Sequence, residues 1–184
     1  MTIGALGFTD GLSGDELVAF VKRLERQGYD SFWVAEIYGR EVLSTCAYLL
    51  ANTTRIKIAT GIANVYARDA VAAENARRTL AEFSDGRFEM GLGVSHANLN
   101  EARGHAWMPP VRKLRSYLEA MKEAPADSPS PAQPAPVVLA AHGPKLMALA
   151  GELADGCLTY LSPPQRTELA RKILGPNKTV RPLL

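Results

Sequence analysis

The chain has 184 residues, of which 47% are hydrophobic and 22% charged. That composition excludes a disordered or fibrous protein and is enough for one packed core. The net charge of +2, with both signs interspersed, gives no electrostatic preference for nucleic acid or a membrane surface.

The first apolar run, residues 3–8 (IGALGF), reads as a buried strand, too short for a signal or membrane segment. A turn with Ser13 as N-cap leads into Leu17, Phe20, Val21 and Leu24 at helical spacing, up to the C-cap signal Gly28. Residues 31–35 (SFWVA) form the second strand and 42–51 the second helix. Residues 56–60, 69–83 and 87–93 read as strand, helix and strand, and 110–122 as a helix. Residues 136–141 (PVVLAA), 145–153, 157–161 and 164–174 continue as strand, helix, strand and helix. Apolar strands without alternation, strictly interleaved with helices, predict an α/β fold with a parallel sheet or barrel of about six βα units. Residues 124–136 (APADSPSPAQPAP) hold five prolines and read as an extended loop inside one domain spanning 1–184. Cys46 and Cys157 lie far apart with no CxxC motif, so they read as reduced core thiols of a cytoplasmic protein.

The candidate chemistry follows the strands, where ligands sit in parallel α/β folds. Gly61 interrupts a buried strand at its end, marking either a bulge or a close backbone approach to something planar. Ser95 and His96 are polar groups at the next strand end, facing a ligand or shaping the loop. Gly91-Leu92-Gly93 is not a dinucleotide fingerprint, because the third glycine position is His96. Ala141-His142-Gly143-Pro144 leaves a buried strand and opens a helix, either as an anion site at exposed N–H groups or as an ordinary connection, with Lys145 adding charge or pointing to solvent. Glu36 either orients a ligand or pairs with Arg40, and His105 beside Trp107 is a loop residue or part of a substrate wall. No HExxH, carboxylate cluster or Gly-x-Ser-x-Gly elbow supports a metal site or a serine nucleophile.

The motifs GYDSFWVAE, TRIKIATGIANVYARD, AEFSDGRFEMGLGVSH, RGHAWMPP, VVLAAHGPK and ADG (154–156) occur in this order over nearly the whole chain. Together they resemble the luciferase-like monooxygenase superfamily, in particular its actinobacterial deazaflavin (coenzyme F420)-dependent oxidoreductases. The resemblance implies a TIM barrel with its cofactor at the C-terminal strand ends. It implies a non-proline cis peptide at Gly61-Ile62, or the bond before it, behind the cofactor ring, a phosphate loop at Ala141–Pro144, and a cleft lined by Asn64 and Ser95, with Glu36 as a further contact. It implies hydride transfer to or from C5 of the deazaflavin, with a small organic molecule as the second substrate.

Two departures from the family pattern bear on function. Its sugar-phosphate and alcohol dehydrogenases carry a histidine after the second-strand acid and a glutamate after the fourth strand, where this chain has Ile37 and Val94. Reduction of an unsaturated substrate, with His96 as proton donor, then fits better than alcohol oxidation. A complete barrel has eight units, and GPNKTVRPLL breaks off where a seventh strand should begin, so an incomplete barrel with exposed edges, covered in a homodimer, is expected. The alternatives are a degenerate relative that binds flavin or deazaflavin without turnover, and an FMN-dependent monooxygenase of the same fold.

Overall fold

The computed structural model describes residues 3–183. In chain order its elements are β1 (Gly4–Gly7), α1 (Gly14–Arg26), β2 (Ser31–Val34), α2 (Val42–Asn52), β3 (Lys57–Thr60), β4 (Ala63–Asn64), α3 (Ala70–Phe83) and β5 (Phe88–Gly93). They continue with α4 (Ala97–Ala102), α5 (Pro110–Lys122), β6 (Val137–Ala140), α6 (Pro144–Leu153), β7 (Gly156–Tyr160), α7 (Pro164–Leu174) and β8 (Thr179–Leu183). The chain divides into two compact units interleaved in sequence: one holds the residues up to Ala63, Asn75–Met90 and Ala126–Ala135, the other Asn64–Glu74, Gly91–Pro125 and the residues from Pro136 onward.

In unit one, β1, β2, β3 and the start of β5 pair in parallel, with Leu6 beside Trp33, Trp33 beside Ala59 and Ala59 beside Glu89. Phe32, Trp33 and Val34 are consecutive and all buried, the mark of a strand covered on both faces. Helix α1 forms because Ser13 and Glu16 make a reciprocal capping box, Ser13 N–H to Glu16 at 2.8 Å and Glu16 N–H to Ser13 Oγ at 3.3 Å. Leu17, Val21 and Leu24 make its buried stripe. The Glu41 carboxylate caps α2 through the N–H groups of Leu43 and Ser44. At the other end of α2, Arg87 donates to the carbonyls of Leu50 (2.8 Å) and Ile56 (3.3 Å), satisfying acceptors around the helix terminus.

In unit two, β6, β7 and β8 pair in parallel, with Leu139 beside Cys157 and Cys157 beside Val180. Helices α5, α6 and α7 each begin with proline at the first turn, where a missing N–H costs nothing. Leu114, Tyr117, Leu118 and Met121 form the buried face of α5.

The six expected βα units are present, but three elements were not anticipated. The strand expected to be missing after the sixth helix exists as β8, paired along its length with β7. Pro182 inside it masks the strand pattern, because proline cannot donate to a ladder. Hence β7 is not an edge, contrary to the sequence expectation of an open six-strand sheet. Helix α4 is a single six-residue piece with no amphipathic stripe to reveal it, and β4 has only two residues. Segment 124–136 contains no helix or strand, yet its end is pinned: Ala135 is 1% exposed and its carbonyl accepts from Arg77.

Candidate functional site

The strand ends of unit one carry Glu36, Gly61 and Ile62. Glu36 directly follows the Val34-Ala35 exit of β2 and is half-buried. Nearby, Arg40 donates from its backbone N–H to Asp10 Oδ1 at 3.0 Å and from its guanidinium to the Leu12 carbonyl. A Cβ on Gly39 would fall 2.1 Å from the Asp10 carboxylate, so a larger residue there would displace the side chain that accepts the Arg40 N–H. Two buried polar atoms in these loops, Thr9 Oγ1 and Arg40 Nε, have no hydrogen-bond partner.

Gly61 lies just past β3, its N–H bonded to the Val34 carbonyl at 2.7 Å. The Gly61-Ile62 peptide bond is cis, at one of the two positions the family resemblance indicated. The close approach implied by this glycine is to protein: a Cβ on Gly61 would sit 2.8 Å from Leu6 Cδ1 and 3.2 Å from Trp33 Cβ. Both residues, Gly61 and Ile62, remain half-buried.

In unit two the structure gathers Asn64, Ser95 and His96 around Asn100, a residue that no motif or spacing singles out. Asn64 and Asn100 are 3% and 0% exposed. Asn64 donates to Asn100 Oδ1 at 2.8 Å, and Asn100 Nδ2 donates to the carbonyls of Val94 (2.7 Å) and His96 (3.1 Å). Asn64 Oδ1 accepts the Tyr66 N–H at 3.1 Å. Asn64 is thus a buried tie between loops. Ser95, between the two held carbonyls, has φ +56°, a left-handed conformation uncommon outside glycine. His96 is exposed and starts α4 without capping it through its side chain.

Further along the same connection, the chain folds against Tyr66. The Tyr66 hydroxyl accepts the Met108 N–H at 2.9 Å, Trp107 stacks on its ring at 5.9 Å, and the Lys113 ammonium lies 4.6 Å from its centroid. His105 contacts the same ring at 5.7 Å. A cleft of about 380 Å³ opens here, lined by Tyr66, Arg68, Asp69, His105, Lys113 and Tyr117 among others. His105 is therefore a wall residue of a cleft.

Ala141 is buried, with its N–H on the Leu158 carbonyl at 2.9 Å, while His142 and Pro144 are exposed. Gly143 is the N-cap of α6, has no side-chain cap, and has nothing within 4 Å of where a Cβ would stand. Pro144 has no N–H and the Leu146 N–H bonds the Gly143 carbonyl at 3.1 Å, which leaves the Gly143 and Lys145 N–H groups as the donors at this helix start. That donor set fits a phosphate. Among the described residues there is no group of three or more His, Cys, Asp or Glu able to hold a metal ion, and no helix long and apolar enough to cross a membrane.

Solved structures share this α/β framework. An F420-dependent secondary alcohol dehydrogenase, in complex with an F420-acetone adduct, superposes with TM-score 0.83 at 17% identity, covering 100% of this chain and 68% of that one. The coenzyme F420-dependent tetrahydromethanopterin reductase of Methanopyrus kandleri gives 0.77 at 20% identity, covering 94% and 59%. The oxygenating constituent of 3,6-diketocamphane monooxygenase from Pseudomonas putida, in complex with FMN, gives 0.78 at 15%, covering 95% and 61%. At these identities the likeness establishes the fold, an α/β architecture of the TIM-barrel type. In sequence, residues 4–174 match the luciferase-like monooxygenase family, and the chain belongs to that family. A 5,10-methylenetetrahydromethanopterin reductase from Methanolobus tindarius is 32% identical over 174 residues, 85% of this chain and 53% of that protein. The chain spans about half the length of the curated relatives it matches. The family read from the motifs is thus borne out.

Proposed function

We propose that the chain is a coenzyme F420-dependent oxidoreductase that reduces an unsaturated organic substrate. The observation that carries this reading is the uncapped, unfilled start of α6 at Gly143-Pro144, a ready anion site in a family whose members include F420-dependent reductases. A bound deazaflavin would supply the hydride. Ala141, His142, Gly143 and Pro144 would hold its phosphate. Gly61 and Ile62 would back its ring and Glu36 would contact it. Asn64, through its tie to Asn100, would set the loop on which Ser95 contacts the ring and His96 delivers the proton to the reduced substrate. Ile37 and Val94 stand where the family's dehydrogenases carry an acid/base pair, which favours reduction over alcohol oxidation.

The test is hydride transfer by the purified chain, followed as recovery of oxidised-deazaflavin absorbance from the reduced cofactor with unsaturated acceptors. Gly143→Asp is expected to weaken F420 binding at least about tenfold, since a carboxylate would enter the open helix start. Tight binding without oxidation of the cofactor by any acceptor would instead make the chain a binding protein. The FMN-bound neighbour motivates a parallel titration with FMN. Preference for FMN over the deazaflavin would overturn the cofactor assignment.

The homodimer and cytoplasmic location belong to the same proposal. Exposed Phe83 (76%) and Phe8 (61%) support the first, and two buried cysteines outside any disulfide support the second. A monomer mass by light scattering would sink the dimer.

A further inference from the structure

We infer that Asn100 is the positioning residue of the site: oriented by Asn64, it holds Ser95 in its left-handed conformation and so fixes where the His96 imidazole stands. The inference rests on the reductive reading above.

The Tyr66 N–H can only donate, so Asn64 Oδ1 accepts it and Asn64 Nδ2 faces Asn100. Asn100 Oδ1 accepts that bond, which leaves Asn100 Nδ2 toward the Val94 and His96 carbonyls, groups that can only accept. Both amides are thereby oriented from backbone atoms at the two ends, and neither can flip without losing bonds. Asn100 is 0% exposed, so water cannot replace those bonds.

The Asn100 main chain is engaged as well. Its N–H donates to the His96 carbonyl at 3.2 Å, and its carbonyl accepts from Arg103 at 3.1 Å and His105 at 3.0 Å. Two of the three histidines of the chain are therefore tethered to this one residue. Ser95 lies between the carbonyls that the Asn100 amide grips. A non-glycine residue at φ +56° persists when its surroundings over-determine it, and here one amide holds both flanking carbonyls. Without that grip, Ser95 relaxes toward extended backbone and carries His96 away from its place.

The test uses Asn100→Asp and Asn100→Ala, each with and without Ser95→Gly, alongside His96→Gln. Asp is nearly isosteric but presents a carboxylate to two carbonyls. Loss of alignment is expected to lower kcat by about a hundredfold in either Asn100 variant, with F420 affinity little changed. Ser95→Gly in the Asn100→Ala background should restore part of kcat, because glycine adopts positive φ unaided. Adding Asn100→Ala to His96→Gln should cost nothing further, since both act through one imidazole. Wild-type turnover in Asn100→Asp, or losses that multiply with His96→Gln, would overturn the inference.

A cofactor-free readout separates this idea from the F420 reading. In the unliganded protein, the His96 and His105 imidazole NMR signals should move in Asn100→Asp while that of His142 stays. Unmoved His96 and His105 signals would overturn the inference even if the chain never accepts F420, and moved signals would support it. Should the Asn100 variants not fold, Asn64→Ser removes the orienting amide, with its bonds to Asn100 and to the Tyr66 N–H, and is read by the same spectra.

Discussion

The carboxylate of Glu25, near the end of α1, accepts the backbone N–H of Ile56 at 2.8 Å, together with those of Thr54 (3.0 Å) and Arg55 (2.5 Å). One side chain thus fastens the end of a helix to the entrance of β3. Burial pushes the Glu25 pKa up, but the three N–H donors and the Arg55 charge outweigh it and hold it below the ordinary 4.5. A lowered folded-state pKa gives stability that is present above the unfolded value and lost as pH falls through the folded one. Glu25→Gln is expected to cost about 1 kcal/mol at pH 7. The difference should shrink in melts below about pH 4. An equal loss at both pH values would mean that the charge is not what matters.

Gly61→Ala places a Cβ 2.8 Å from Leu6 Cδ1 and 3.2 Å from Trp33 Cβ. Leu6 can turn aside but the Trp33 Cβ cannot, so the substitution should destabilise by about 1–3 kcal/mol. Leu6→Ala in the same chain should recover part of that loss in denaturant titrations, if overpacking is the cause.

Glycines of α6 and β7 should respond with opposite signs. A Cβ on Gly156 would lie 2.1 Å from the Thr179 carbonyl oxygen, so Gly156→Ala forces β8 off β7 and should cost about 3 kcal/mol. Hydrogen exchange in 179–183 should accelerate accordingly. Gly151, inside α6, would meet only Leu174 at 3.9 Å. Gly151→Ala should stabilise by about 0.5–1 kcal/mol, the helix propensity difference.

Burial pushes the Cys157 thiol up to about 11, against the opposing charge of Arg171. At pH 8 only about one molecule in a thousand then carries the thiolate. Iodoacetamide should leave Cys157 and the equally buried Cys46 unmodified in the native protein, and modify both after denaturation. Fast native labelling of Cys157, read by mass spectrometry, would contradict its placement inside β7.

The sequence alone determined the framework, because its signals are local and periodic. Strands covered on both faces leave unbroken apolar runs such as SFWVA and FEMGLG, and helices leave a 3.6-residue stripe such as Leu17, Val21 and Leu24. Ser13 as an N-cap, and Pro144 at a helix start, act within one turn and were equally legible. The family followed from motifs strung in order, and Gly61 could be marked as a place of close approach.

Only the tertiary structure decided what meets what. It chose Leu6 and Trp33 as the neighbours of Gly61, paired β8 despite Pro182, and tied Glu25 to the start of β3 across 31 residues. It also placed Asn100 against Asn64, 36 residues away, and so bound Ser95 and His96 into one loop. Such contacts are directional bonds between atoms far apart in sequence. No periodicity encodes them, because their geometry exists only once the chain has packed.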